Sequence, residues 1–462
     1  MITPLVQPTS AVSPLLAPRD LAAPIAWRKG QPVSGLQYLA DVQAQAALMP
    51  AQGPLVNLVA DRYRFMVALG AALQRGFTSL FPPNAMPDTL ALLRQQHPSL
   101  AAITDDAQQT LPGLHEVMLA PLGEQVGVFE PPLLADELTA TCLLTSGSTG
   151  TPQPHARSWG LWVRNVAAAA ERLAELLGRP SLAGLNIVAT VPPQHSYGFE
   201  SSVLLALLGG AAIDSGRPFY PADIAQALAR LPAPRALVTT PFHLKTLLLS
   251  GVALPEVALV LSATAPLSPQ LAQQAERATR GALIEIYGCT EAGQVAMRRT
   301  AETEVWRTMG ELRLHQRRVQ GEEQAFVQGG HVITPTPLAD VLELADAQHF
   351  RLLGRANDLI HVAGKRSSLS HLNYHLNSIE GVEDGAFWLP DEVADGVVRT
   401  VAFVVAPGLS AAEVVARLKP RIEPVFLPRK VVHVQGLPRE ATGKLTAKAL
   451  REFAQAQLGP TQ

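Results

Sequence analysis

From Leu55 onward the apolar positions fall into two alternating rhythms. Leu55-Val56-Asn57-Leu58-Val59 has the length and composition of a strand, Arg62 to Arg75 carries helical spacing, and Phe77 to Phe81 reads as the next strand, stopped by Pro82-Pro83-Asn84. Further on, Leu161 to Leu177 predicts an Ala-rich amphipathic helix ending at Gly178. Strands follow at Ile187 to Val191, Ala236 to Thr239, Val257 to Leu261 and Leu283 to Tyr287. Helices at Gly198 to Leu208, Pro241 to Ser250 and Gln270 to Thr279 separate them. Strands alternating with helices imply an α/β fold with parallel-type sheets, whose ligands sit beyond the C-terminal strand ends.

Outside that stretch the pattern changes. Residues 1–50 are rich in Pro and Ala and weakly patterned, and residues 300–353 hold short strands with polar flanks. A boundary is expected at Gly354 to Asp358. Beyond it come strands at Val398 to Val405 and Val431 to Val434, and helices at Ala411 to Leu418 and Thr446 to Ala456. That is enough for a small α+β C-terminal domain. The expected division is a large N-terminal domain, 1–355, and a small one, 356–462.

Composition narrows the class. A chain of 462 residues exceeds one ordinary core, and 47% hydrophobic against 16% charged residues is a globular balance. A net charge of −2 gives no reason to expect nucleic acid or an anionic membrane surface as partner. No basic residue precedes Arg19, and Pro4, Pro8, Pro14 and Pro18 interrupt any apolar leader helix. The longest apolar stretch, Val203 to Ile213, is too short to insert across a membrane. Two cysteines, Cys142 and Cys289, make no disulfide framework, so a reducing cytoplasmic setting is expected.

The candidate chemistry centres on Thr145-Ser146-Gly147-Ser148-Thr149-Gly150-Thr151-Pro152, after the apolar run Thr141-Cys142-Leu143-Leu144. Glycines let backbone N–H groups approach phosphate oxygens, and hydroxyls add neutral donors. No lysine stands where a Walker loop needs one. Taken alone, the stretch is equally a Ser/Gly connector.

Five further segments stand in a fixed order with that loop: His195-Ser196-Tyr197-Gly198; Ser262-Ala263-Thr264-Ala265-Pro266-Leu267; Tyr287-Gly288-Cys289-Thr290-Glu291; Asp340 with Gly354-Arg355-Ala356-Asn357-Asp358; and Leu437-Pro438 leading to Thr442-Gly443-Lys444. Together the six resemble the adenylate-forming family, which includes acyl-CoA synthetases, aryl-acid ligases and firefly luciferase. The resemblance covers about residues 55–450. It implies ATP and Mg²⁺ as cofactors, a carboxylic acid substrate, an acyl-adenylate and then a thioester.

The resemblance also implies roles. The Ser/Thr/Gly loop (Thr145, Ser146, Gly147, Ser148, Thr149, Gly150) would clamp the β- and γ-phosphates. Tyr287, beside Gly288, would stack on adenine, Thr290 would bond a phosphate, and Glu291 would hold the metal. The small residues around Ala265 would give backbone contact to a planar ring, and His195 would gate the acyl carboxylate. Asp340 would bind the ribose hydroxyls, with Arg355 nearby. Asn357 would be the hinge of a mobile small domain, Gly364 would line a pantetheine tunnel, and Lys444 would bridge carboxylate and phosphates.

Each role has a plain alternative: a helix cap for Thr290 and Glu291, a strand-to-helix turn for Ser262 to Pro266, a structural histidine at 195, a loop aspartate at 340, a surface salt bridge at Arg355, and a solvated Lys444. Three positions depart from the family pattern. Gln153 stands where the loop is usually followed by lysine, Asn357 where Asp or Lys is usual, and His361 where many relatives carry lysine. Arg157, four residues past Gln153, either replaces the missing charge or is a solvated helix residue.

The small size resembles stand-alone ligases that load acyl carrier proteins with aromatic acids. Arg417, Lys419, Arg421, Arg429 and Lys430 cluster in sequence. They would steer an acidic carrier protein, meet the phosphates of coenzyme A, or form a solvated face. Transfer to free coenzyme A, transfer to an amine or oxygen, and a non-catalytic nucleotide-binding relative are the rival readings.

Overall fold

The computed structural model describes residues 11–82, 84–109, 111, 113–123, 127, 129–146, 152–319, 322–355, 359–362, 365–390, 400–440 and 445–458. Within these it leaves out the side chains of Thr145, Ser146, Pro152, Glu322, Arg355, Leu359, His361, Val362 and Arg366.

Two large sheets carry residues up to Arg355. The first orders its strands Pro152–Ser158, Thr139–Ser146, Ser79–Phe81, Leu55–Asn57, Ala101–Ile103 and His115–Glu116. The second runs Asp340–Leu344, His349–Arg355, Trp306–Thr308, Gly293–Arg298, Ala282–Cys289, Leu259–Ser262, Arg235–Thr239, Asn186–Ala189, Ala212–Asp214, Pro24–Arg28 and Gln31–Ser34. From Ala282–Cys289 across to Pro24–Arg28 the pairing is parallel, as helical crossovers require, and both rims are antiparallel hairpins. The fold is mixed α/β, as the alternation predicts.

The helix Arg62–Gln74 lies in the core; every residue from Phe65 to Leu73 is buried. It is apolar on all faces because both sheets cover it. Phe65, Phe81, Phe199 and Trp162 meet at its side, with ring centroids 5.0–6.4 Å apart. Residues 1–50 hold more structure than their weak pattern suggests. Pro24–Arg28 and Gln31–Ser34 complete one end of the second sheet, and Gly35–Ala47 is a helix capped by Ser34. Two helices with Pro at N1 or N2, Pro87–Gln96 and Pro221–Arg230, are likewise unmarked in the sequence reading.

The expected helix Gly198 to Leu208 is broken. Ser196–Gly198 and Leu205–Leu207 are α-helical, but Phe199–Leu204 is a π-helix. From Ile360 onward a separate apolar cluster forms around Leu372, Leu376, Phe387, Val404 and Val414. It packs the sheet Asp384–Trp388, Val401–Val405, Lys430–His433 against the helices Leu369–Asn377 and Ala411–Leu418. Ser410 and Glu413 cap the second helix reciprocally. The helix Pro241–Leu249 meets this part where Lys245 Nζ donates to the Val382 carbonyl and where the Arg439 guanidinium lies 5.7 Å from the Phe242 ring. Among the described residues, no helix is long and apolar enough to cross a membrane.

Arg62 ties the core helix to the second sheet. Fully buried at the first turn of its helix, it donates to the carbonyls of Ala189 (2.7 Å) and Val191, and to Gly216 O at 3.3 Å. Replacing it by methionine keeps the volume but leaves these acceptors unpaired. Arg62→Met is expected to cost about 2–4 kcal/mol, read from the urea midpoint, with Arg62→Lys recovering only part of it.

Candidate active site

The parallel strands end at Ala189, Thr239, Ser262 and Cys289, and the predicted site segments leave from three of these ends. The Tyr287 ring is buried against Trp306 and Phe350, with centroids 5.8 and 5.5 Å away. Its hydroxyl donates to Asp340 Oδ2 at 2.7 Å. Asp340 opens the strand Asp340–Leu344 and stands opposite Arg355 in the register. Three predicted residues far apart in sequence are thereby brought to one place, with only the backbone of Arg355 described.

Thr290 and Glu291 occupy the turn between the antiparallel strands Ala282–Cys289 and Gly293–Arg298. No helix follows, which removes the helix-cap alternative. The Glu291 side chain is 49% exposed, and its Oε1 lies 3.9 Å from His155 Nε2. Burial and then the neighbouring Glu291 push the Cys289 thiol up to about 12, so it is no thiolate nucleophile.

The Gly-rich stretch joins two paired strands, Thr139–Ser146 and Pro152–Ser158, with Pro152 opposite Ser146. Gly147, Ser148, Thr149 and Gly150 lie outside the described residues, as do the side chains of Thr145 and Ser146. Asn357, Gly364, Lys444 and the His361 side chain lie outside them too. Gln153 is exposed on the second strand. Arg157 is not a solvated helix residue. It belongs to that same strand, is only 5% exposed, and donates from Nη2 to the Glu291 carbonyl at 2.9 Å.

His195 is half-buried at the head of the broken helix. Ser196 Oγ donates to Glu200 Oε1 at 2.7 Å, and the buried Tyr197 hydroxyl to the Thr239 carbonyl at 3.0 Å. Ser262 to Leu267 connects a strand to the helix Pro269–Thr279, which Ser268 caps. The connection reaches further than a turn ending at Pro266. Thr264 takes a positive φ of 77°, Ala265 is half-buried, and the Leu267 N–H bonds Glu285 Oε1 at 3.1 Å. The wholly buried Ser262 hydroxyl has no hydrogen-bond partner among the described residues.

Sequence reasoning missed Glu200. The carboxylate is 3% exposed and accepts from Ser196 Oγ, from Asn165 Nδ2 at 2.7 Å and from Gln294 N–H at 3.1 Å. Burial raises its pKa, while Arg157 and these donors oppose the rise. One signal was available: a lone acid inside an otherwise apolar and small-residue run, Gly198 to Leu208, needs partners.

Residues 87–317 match the family model described as "AMP-binding enzyme". A 4-coumarate–CoA ligase of Halorhodospira halophila is 34% identical over 255 residues, covering 54% of this chain and 60% of the relative. A 4-coumarate–CoA ligase of Rhodobacter capsulatus is 30% identical over 279 residues, covering 60% and 66%. The chain thus matches less than two thirds of the length of either relative. Among solved structures, a benzoate CoA ligase from Burkholderia xenovorans LB400 aligns with a TM-score of 0.76 at 18% identity, covering 93% of this chain and 97% of that one. O-succinylbenzoate coenzyme A synthetase from Bacillus subtilis, in complex with ATP and magnesium ion, aligns at 0.75 and 17% identity, covering 93% and 96%. At these identities the likeness is one of fold.

Gly198 sets the path of the His195 segment. A Cβ there would collide with the Pro192 carbonyl oxygen. Gly198→Ala is therefore expected to displace residues 192–198 and to cost about 1–3 kcal/mol, measured as a fall in the urea midpoint.

Proposed function

The chain belongs to the family of AMP-binding, adenylate-forming enzymes, and on that premise we propose that it is an ATP- and Mg²⁺-dependent ligase that activates an aromatic carboxylic acid as its adenylate and passes the acyl group to a thiol. The observation that carries this reading is the Tyr287–Asp340 pair beside the Glu291 turn, at the C-terminal edge of the parallel strands. The aromatic class is supported by the two 4-coumarate–CoA ligases among the relatives.

In the first step a carboxylate oxygen attacks the α-phosphorus of ATP and pyrophosphate leaves. In the second a thiol sulfur attacks the acyl carbon and AMP leaves. Both steps gather negative charge on oxygen, so cations and donors must be in place beforehand. Asp340 offers acceptors for ribose hydroxyls, held in position by the Tyr287 hydroxyl. Thr290 and the Gly-rich stretch offer donors to phosphate, Ala265 and Gly288 approach the planar ring, and His195 stands at the acyl end.

Glu291 fits Mg²⁺. Its carboxylate is accessible, and among the described residues no group of three or more acidic, His or Cys side chains could hold a metal. One carboxylate plus substrate phosphates is a usual Mg²⁺ environment, whereas an ion held by protein ligands alone needs more of them. Once bound, the ion supplies neutralisation of phosphate charge.

The proposal includes a two-part organisation. Residues 1–355 bind ATP and acid. Residues 356–462 move about Asn357, bring Lys444 to the reacting groups, and in a second pose offer Gly364 to the pantetheine thiol, while Arg355 stays near the ribose and α-phosphate. The thiol is that of phosphopantetheine. Relatives named as CoA ligases support free coenzyme A. Arg417, Lys419, Arg421, Arg429 and Lys430 are all exposed, which supports docking of an acidic carrier protein.

Acid-dependent exchange of pyrophosphate into ATP over a panel of aryl and alkyl acids tests the first step. Product mass after addition of coenzyme A or a holo-carrier protein decides the acceptor. No exchange with any acid would favour a non-catalytic nucleotide-binding protein. Lys444→Ala is expected to cut adenylation about 10²–10³-fold while preformed adenylate is still converted to thioester. Equal loss of both half-reactions would count against the two-pose scheme. Glu291→Gln is expected to raise the Mg²⁺ requirement with little change in acid KM, measured by titrating Mg²⁺ at fixed ATP.

A further inference from the structure

We propose that Arg157 is a positioning residue for the metal-binding turn: from beneath, it fixes Glu291 to the strand that leaves the Gly-rich loop. The inference deepens the ligase reading and rests on it for the role of Glu291.

Arg157 sits on Pro152–Ser158, and side chains two apart on a strand share a face. His155 and Arg157 are such a pair, and both reach the same residue. His155 Nε2 lies 3.9 Å from the Glu291 carboxylate, and Arg157 Nη2 bonds the Glu291 carbonyl at 2.9 Å. One strand thereby bonds the backbone of Glu291 and stands beside its side chain.

The guanidinium is itself held from several sides. It lies 5.1 Å from the Trp162 ring, and Trp162 is fixed by its own bond to Thr141 Oγ1 at 3.0 Å. Gly293, with a φ of 75°, closes the turn directly over the cluster. A Cβ there would stand 2.9 Å from Asn165 Nδ2, 3.1 Å from Arg157 Nη1 and 3.3 Å from Glu200 Oε2. Only a residue without a side chain leaves room beneath the turn for the cation, Asn165 and the carboxylate together.

Glu200 carries the coupling further. Its two oxygens take Ser196 from the His195 segment, Asn165 from the helix Trp159–Leu176, and the Gln294 N–H three residues past Glu291. Gln294 in turn bonds Ser201 Oγ and, through its carbonyl, His331 Nε2, both at 3.0 Å. The turn is thus gripped before Ala292 by Arg157 and after it by Glu200. A buried arginine with this many fixed neighbours cannot reach into open solvent, so it sets where Glu291 stands.

Removing the cation alone would strand the Glu200 charge, so the test uses Arg157→Met with Glu200→Gln, which removes both charges, and Arg157→Lys, which keeps the cation and loses the fork. Three quantities are compared with the unaltered chain: amide hydrogen exchange at residues 290–294 against the control strand Leu259–Ser262, the Mg²⁺ concentration for half-maximal pyrophosphate exchange, and acid KM. A bond to a charged donor is lost, so exchange at 290–294 is expected to rise about 10- to 100-fold in the double variant while the control strand is unmoved. The Mg²⁺ requirement is expected to rise roughly fivefold or more with acid KM within about twofold, and Arg157→Lys to fall between.

Unaltered exchange at 290–294 and an unaltered Mg²⁺ requirement in the folded double variant would show that Arg157 only balances Glu200, and would overturn the proposal. Should the double variant not fold, the same measurements on Arg157→Lys decide. Absence of pyrophosphate exchange in the unaltered chain would overturn the ligase reading, while the hydrogen-exchange result would still stand or fall for the turn.

Discussion

A carboxylate shut away from water must be met by donors on every side, and Glu200 is the point where this molecule satisfies that demand. The donors come from elements far apart in sequence: Ser196, Asn165 and the Gln294 backbone, with the Arg157 guanidinium close by. None of them can shift without leaving charge unpaired. The His195 segment, the long helix Trp159–Leu176 and the hairpin carrying Glu291 are therefore set relative to one another by a single buried group. Apolar packing brings the sheets together, but it is indifferent to small slips; charge compensation at short range is not.

Around this point the remaining site residues take their places by ordinary sheet geometry. Tyr287 is buried against Trp306 and Phe350, so its hydroxyl has one direction to point, toward Asp340. Asp340 is in turn placed by a ladder that runs opposite Arg355. The Tyr287–Asp340 pair is built toward one rim of the second sheet, and the His195 and Ser262 segments leave the ends of its central strands.

The legible part of this arrangement was the part governed by local period. The strands at 187, 236, 257 and 283 stand out because a buried parallel strand is a continuous apolar run, and the helices at 241 and 270 fall between them. The motif residues Tyr287 and Asp340 were singled out separately by their order along the chain, and their 2.7 Å hydrogen bond emerges only in the structure. Less was visible where structure depends on distant partners. Pro24–Arg28 and Gln31–Ser34 are strands because Ala212–Asp214 offers them an edge, not because of their own composition. The strand Pro152–Ser158 contains two prolines and runs into a helix, so a solvated helix residue stood as one of two readings of Arg157; pairing with Thr139–Ser146 makes it a strand residue. Glu200 was passed over because a single acid in an apolar run carries no periodic signal.

The broken helix at Phe199–Leu204 has a consequence for how this chain can vary. A π turn accommodates one residue more than an α turn, and here it lets three successive side chains face three different neighbours. Glu200 meets Asn165, Ser201 meets Gln294, and Ser202 meets Arg62. Losing a single residue from this segment would remove the extra residue that the wide turn absorbs and draw these three side chains out of line with their partners. Surface loops elsewhere can lengthen or shorten over generations at small expense. In this one segment, where Glu200, Ser201 and Ser202 each meet a particular partner, identity and length are held together.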